Sequence, residues 1–355
     1  MYVSELTLER DRTKAVFTGA VVTLLIFAVG LFIVKWWPYW HKAHVAAATH
    51  SIGASIAGGK NAAHAFGLHA AWTYSLAYFK AVWQAVVLAL LLGASVQAFV
   101  PRRRLVALIG APTAGSAAIA ASGSMFTMMC TCCAGPIVVG LRRQAVAAGS
   151  ALAFFLGNPV LNPATLIFIG FVLGWKFAAL RIVLGALLVF TVALMANWVT
   201  GDSPKSPRSA ISTAEEPRTV KAMFAAWLRE LWIEIYTILP GYVAIVFIVG
   251  GVRAWLLPPS LTLHASGAGA VAALSLLGTI FVIPTAAEVP IIQTLMHAGM
   301  GSGPAAALLM TLPAVSLPSL YIVRNVFSAR VLAITAGAVF FFGVIAGLVA
   351  SAFIR

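Results

Sequence analysis

Charge is scarce in this chain. Only 9% of its 355 residues are Asp, Glu, Lys or Arg, and just 9 of them are acidic, whereas a soluble globular domain carries about 25% charged residues. That shortage excludes an ordinary soluble domain. Cysteine is nearly absent as well, 3 in all, and Cys130, Cys132 and Cys133 lie too close together for a disulfide framework. A phosphate-cradling loop is also missing. Gly58-Gly59-Lys60 lacks the earlier glycine and the following Ser or Thr of a Walker loop, which excludes an ATPase on this chain. Energy for any work must then come from an ion gradient or a partner.

What the chain has instead is apolar length. Hydrophobic residues make up 61% of it, in windows of 18 or more residues with almost no charge, enough to cross about 30 Å of hydrocarbon. The chain reads as an all-α integral membrane protein. Its 23 basic residues outnumber the acidic ones to give +14, but they do not gather on one face as nucleic-acid binders do. Arg10, Arg12 and Lys14 precede the first apolar run, Arg102, Arg103 and Arg104 follow the second, and Lys205, Arg208, Arg218 and Lys221 occupy the long polar stretch. This is the positive-inside pattern. It predicts a multi-pass protein of a bacterial-type inner membrane with a cytoplasmic N-terminus, whose partners are the lipid bilayer and a small-molecule or metalloid solute, not nucleic acid. No cofactor is called for, and the residues specify no oligomeric state.

The pattern divides the chain at residues 1–73, 74–200, 201–220 and 221–355. The first part holds an uncleaved span over residues 16–34, closed by Lys35, Trp36, Trp37, Tyr39 and Trp40 as an aromatic and basic collar at headgroup level. An extracytoplasmic loop, with room for a surface-lying helix, follows over residues 41–72, with His41, His44, His50, His64 and His69 at spacings that match no standard zinc pattern. Residues 74–100 and 177–199 read as spans. Between them Gly110, Pro112, Gly115, Gly123, Gly135, Pro136, Gly157, Pro159 and Pro163 break the apolar stretches. Irregular backbone at membrane depth is tolerated only inside the protein or beside a cavity, so these breaks belong at the centre. Residues 200–220 form a solvated linker.

The last part repeats the second at an offset of 154 positions. Pro136, Ile137, Leu141, Gly149, Ala151, Ala153 and Pro159 fall on Pro290, Ile291, Leu295, Gly303, Ala305, Ala307 and Pro313. The charge pattern starts one copy outside and the other inside. Two inverted-topology repeats with broken or re-entrant helices at the centre are therefore expected, an architecture shared by many secondary transporters. Lys176 and Arg181 fit this topology poorly, since it places them outside.

Three features can carry chemistry. Cys130, Cys132 and Cys133 stand just before Pro136 at a helix break, and thiolates suit soft species: Cu(I), zinc or a trivalent metalloid. As metal or metalloid ligands they form an asymmetric site, because the second copy has no thiols; the alternative is plain packing. Asn158, Pro159, Asn162 and Pro163 form the second feature, with Pro313, Ser316 and Pro318 as partners. Each proline frees the carbonyl four residues back, and free carbonyls beside amides can line a solute site, unless the amides simply cap the half-helices. Glu288, two residues before Pro290, is the third. Glu230 and Glu234 read as opening a helix near the interface, which leaves Glu288 as the one carboxylate in an apolar surround, a functional site by default and a candidate proton carrier. The alternatives are a salt bridge to an arginine such as Arg324 or a helix-capping role. Arg142 and Arg143 read as interfacial anchors.

The run from Cys130-Thr131-Cys132 through Pro136, Gly140-Leu141, Gly149 and Ala151-Leu152-Ala153-Phe154 to the closing Asn158-Pro159-Val160-Leu161-Asn162-Pro163 resembles the predicted-permease family of ArsP and YraQ type, with its Cys-x-Cys, downstream Pro and closing Leu-Asn-Pro. Ala287-Glu288-Val289-Pro290 through Ser316-Leu317-Pro318 resembles that family's second half. The resemblance implies two related membrane halves and, for ArsP members, efflux of trivalent organoarsenicals by thiols, with Cys130 and Cys132 at the thiol positions and Asn162 at the closing amide. Cys133 adds a thiol where the family often has a small polar residue, and Asn158 stands where a small residue is common. The expectation is a permease and not an enzyme. Its solute is a thiophilic metalloid or metal species or, with structural cysteines, a small polar or anionic molecule; a passive channel is the remaining alternative.

Overall fold

A computed structural model describes residues 2–53, 67–201, 219–256 and 267–354, and among these every element is helical. Helix α1 (Tyr2–Leu31) runs through a π-helical stretch, Phe32–Trp36, into α2 (Trp37–Thr49). The first half continues as α3 (Leu68–Ala98), α4 (Arg102–Ile109), α5 (Ala114–Met125), α6 (Thr131–Arg143), α7 (Ala148–Val160), α8 (Pro163–Val172) and α9 (Trp175–Thr200). Then come α10 (Val220–Leu256), α11 (Gly267–Ile280), α12 (Glu288–His297), α13 (Ser302–Thr311), α14 (Leu317–Val323) and α15 (Ala329–Phe353). Among the described residues six helical stretches are long and apolar enough to cross a membrane, and α4 with α5, bent by 111°, would make a seventh. Large apolar side chains such as Trp83, Leu187, Leu194 and Phe341 point outward, as a lipid-facing surface requires. The protein is an integral membrane protein.

The helix bounds recur at the offset of 154. Adding 154 to the first residues of α5, α7, α8 and α9 gives 268, 302, 317 and 329, and α11, α13, α14 and α15 begin at 267, 302, 317 and 329. The turns match too. Val146 N–H donates to Leu141 O behind a left-handed Ala145, and Met300 N–H donates to Leu295 O behind a left-handed Gly299. Close packing accounts for the paired glycines at 149 and 303. A Cβ on Gly149 would stand 2.3 Å from Ala193 O beside Asn197, and one on Gly303 would stand 1.9 Å from Ser351 Oγ and 2.9 Å from Gly347 O. Each glycine lets α7 press on α9, or α13 on α15.

Contacts between the halves pair α3 with α10 and α9 with α15, and they also join α6 to α14 and α8 to α12. Four short helices thus meet at the centre. Their breaks follow from proline: α7 carries Pro159 in its last turn, Pro163 opens α8, and Pro318 stands in the first turn of α14. The Ala148–Val172 span is the most enclosed of the six and Phe17–Thr49 the least, so the breaks lie inside and the N-terminal helix packs from the rim.

Several boundaries differ from expectation. Helix geometry continues to Thr49, so residues 41–49 are not loop; residues 54–66, which include His64, lie outside the described set. The third helix starts at Leu68 instead of 74. Lys35 does not belong to a headgroup collar. The π-helical stretch takes in one extra residue per turn and swings Lys35 inward, where it is 6% exposed, while Trp37 and Trp40 remain on the outside.

Candidate functional site

The three thiols open α6. Cys130 is the helix N-cap, Cys132 and Cys133 occupy its first turn, and all three are free and buried. Cys130 Sγ lies 3.2 Å from Cys133 Sγ. Cys132 turns toward the other half, with its Sγ 3.6 Å from Ser316 Oγ, and lies within electrostatic reach of Tyr78. The Tyr242 hydroxyl donates to the Tyr78 hydroxyl at 2.9 Å, so α3 and α10 close the site from one side. Cys130 is drawn to Cys133 and Cys132 to Ser316. Among the described residues, accordingly, no three His, Cys, Asp or Glu are arranged to hold a metal ion. The expected ligand set is a thiol pair with a third thiol facing the second half, not a preformed metal cage.

Ser316 is there because it caps α14. Its hydroxyl accepts from Ser319 N–H, and Ser319 Oγ engages the Ser316 backbone in return, a capping box that fixes the cap's position. A Cβ on Gly135 of α6 would come within 2.5 Å of Ile322 of α14. That close seating brings the two helix starts together. Pro136 and Pro290 are buried inside α6 and α12, and Pro313 is buried ahead of α14.

The asparagines hold backbone instead of lining open space. Asn158 Oδ1 accepts from the Thr127 hydroxyl and from Met129 N–H (3.1 Å), and its Nδ2 donates to Phe154 O, so it anchors the loop leading into Cys130. Asn162 caps α8, its Oδ1 accepting from Ala164 N–H (3.0 Å) and Thr165 N–H (3.3 Å). Its Nδ2 is buried without a partner and is the one amide group of the pair left for a solute.

The freed carbonyls are taken by Arg181. Pro163 has no N–H for Pro159 O, and the Asn162 cap occupies the Ala164 N–H that would otherwise serve Val160 O. Arg181 fills both vacancies, Nη2 donating to Pro159 O at 2.6 Å and Nε to Val160 O at 3.1 Å. Its Nη1 donates to Glu288 Oε1 at 3.1 Å, and both side chains are 1% exposed. Arg181, which seemed misplaced outside, is therefore the buried partner of Glu288. Arg324 is not: it is exposed, stacked 3.9 Å from the Tyr321 ring. The signal was available in the sequence, because an arginine seven residues into an apolar span calls for a partner as much as a lone carboxylate does.

Two further buried charges escaped the sequence reading. Glu234 does not open its helix but is fully buried fifteen residues into α10, accepting from Gln97 Nε2 at 2.7 Å with Oε2 left unpartnered. Gln97 Oε1 in turn accepts from Arg143 Nη1 (3.1 Å), and Arg143 pairs with Glu230 at 3.5 Å. Arg143 is thus part of an internal polar network joining α3, α6 and α10. Arg142 lies 5.5 Å from the Phe327 ring and donates to Val146 O. Lys35, the second charge, has its Nζ 5.5 Å from the centroid of the Tyr39 ring and lies within electrostatic reach of Cys130 and Cys133. His41, His44, His50 and His69 are exposed; of these, His50 bonds Phe171 O.

The model of a family described as "Predicted permease", of ArsP type, matches residues 68–352. The UPF0718 protein YraQ of Escherichia coli (strain K12) is 46% identical over 329 residues, covering 91% of this chain and 92% of that one. The UPF0718 protein MJ0584 of Methanocaldococcus jannaschii is 22% identical over 336 residues, covering 76% of this chain and 92% of its own. No solved structure matches.

Proposed function

From the premise that the chain belongs to the predicted-permease family of ArsP type, we propose that it exports a thiophilic trivalent metalloid species, such as an organoarsenical, across an inner membrane. The observation that carries this reading is the set of buried free thiols at the start of α6, turned toward the Ser316 cap of α14. A trivalent arsenical exchanges its oxygen ligands for thiolates, and the Cys130–Cys133 pair offers two sulfurs 3.2 Å apart. The helices carrying these groups belong to opposite halves. If the halves are inverted copies around this junction, rocking one against the other exposes the thiols to each side in turn. Protonation of Glu288 would release Arg181 from its carboxylate, giving transport a place to couple to a proton. The cytoplasmic N-terminus and the division at residues 201–220 belong to the same proposal.

The test is thermal stability of the purified chain with phenylarsenous acid. A ligand that binds only the folded state at 100 times its Kd adds about 2.7 kcal/mol of stability. Wild type should shift, and a variant with all three cysteines replaced by Ser, or by Ala, should not. An equal shift in wild type and both variants, or none in wild type, refutes the thiol reading.

A further inference from the structure

Lys35 comes from the N-terminal helix, outside the residues matched by the family model, yet it reaches the central junction. Lysine is almost never buried without a partner, and at membrane depth an unpaired cation marks a solute pathway. Three buried or half-buried acidic side chains, Glu288, Glu230 and Glu234, are engaged elsewhere. Glu288 holds Arg181, Glu230 holds Arg143 and Arg229, and Glu234 is bonded by Gln97. The ammonium has instead the Tyr39 ring, with Nζ 5.5 Å from its centroid, and the Cys130 and Cys133 sulfurs within electrostatic reach. Its position is built. The π-helical stretch turns it inward, and the neighbouring Trp36 Nε1 donates to Phe126 O at 2.9 Å, tying the stretch to the loop before Cys130. Lys42, two turns further along the same helix, is exposed and also senses the Lys35 charge, so positive charge continues from the junction to the surface.

We propose that Lys35 is a solute-binding residue, holding an oxygen of the solute beside the thiol pair. A fixed cation there disfavours a bare metal ion and favours a species with hydroxyl or oxyanion oxygen. This rests on the thiol reading and moves its solute from an organoarsenical, which two thiolates leave without oxygen, to a trivalent species that keeps a hydroxyl, such as arsenite. The chemistry is balanced with arsenite: As(OH)3 and two thiols give a bis-thiolate that keeps one As–OH, as two As–O bonds break, two As–S bonds form, and the thiol protons leave in two waters. The remaining hydroxyl accepts from the Lys35 ammonium. Phenylarsenous acid, attached through the same two sulfurs, loses both hydroxyls and offers Lys35 no oxygen.

The pair of probes separates binding from folding. In the full-length purified protein, followed by thermal shift, Lys35→Gln should weaken arsenite about tenfold or more, the effect of losing one charge-assisted hydrogen bond, while phenylarsenous acid stays within about twofold. Lys35→Arg should restore most of the arsenite affinity. Equal losses for both probes would make Lys35 structural, and no loss for either would leave it unconnected to the solute; both results overturn the proposal. If wild type binds neither arsenical, methylphosphonate, an oxyanion without thiol chemistry, decides. Stabilisation of wild type but not Lys35→Gln would retain Lys35 while the thiol reading falls, and no difference would remove both.

Discussion

The Arg181–Glu288 pair yields the sharpest stability prediction. Both side chains are 1% exposed and 3.1 Å apart, and Arg181 also satisfies Pro159 O and Val160 O. Removing one partner of a buried pair typically costs about 3–5 kcal/mol, because the other charge stays behind uncompensated. Arg181→Met should cost at least that, since it also orphans two carbonyls at about 1–3 kcal/mol each. Glu288→Met should fall in the 3–5 kcal/mol range, as Arg181 keeps its carbonyls. Removing both side chains eliminates the stranded carboxylate, so the double variant should be less damaged than the sum of the singles by about 3 kcal/mol. At about 2 °C per kcal/mol for a chain of this size, Glu288→Met should lower Tm by roughly 6–10 °C. The assay is a double-mutant cycle on detergent-solubilised protein, read by reversible unfolding or, failing reversibility, by unfolding rates. Singles that cost under about 1 kcal/mol, or losses that simply add, would refute the pairing.

Two other perturbations test the packing. Gly149→Ala, whose Cβ would meet Ala193 O at 2.3 Å, should cost about 1–3 kcal/mol as overpacking. Gly123→Ala, in a helix with nothing within 4 Å, should be neutral or gain up to about 1 kcal/mol; matching thermal shifts for the two would contradict the described α7–α9 contact. Gln97→Ala strips the remaining donor from Glu234 and should cost about 1–3 kcal/mol. Adding Glu234→Leu should recover most of that loss, and a further drop in Tm would show that the Gln97 bond is not what retains the carboxylate.

Local chemistry was legible in the sequence, and long-range pairing was not. Prolines at 159, 163, 313 and 318 mark breaks because a missing N–H acts within one turn, whereas Pro136 and Pro290 sit inside continuous α6 and α12; Asn162 takes the capping role, the alternative to lining a solute site. Gly149 and Gly303 show as a repeated pair, although why both are glycine appears only when α9 and α15 are in place. Membership of α6 and α14 in one site depends on contacts 184 positions apart, which no spacing reveals. The apolar run after Glu234 suggests a helix that begins near it, whereas α10 starts at Val220. An uninterrupted α-helix puts Lys35 in a collar, but five residues of π-helix rotate the face that everything after Leu31 presents.

The charge pair is unevenly inherited. The position 154 after Arg181 is Thr335, and the position 154 before Glu288 is Ala134, so one half carries only the guanidinium and the other only the carboxylate. An assembly of two first halves would bury two arginines with no acid between them, and two second halves would bury two acids with no base. Neither half can serve as its own mate, and the pair binds the two together, since each supplies the counter-charge the other lacks.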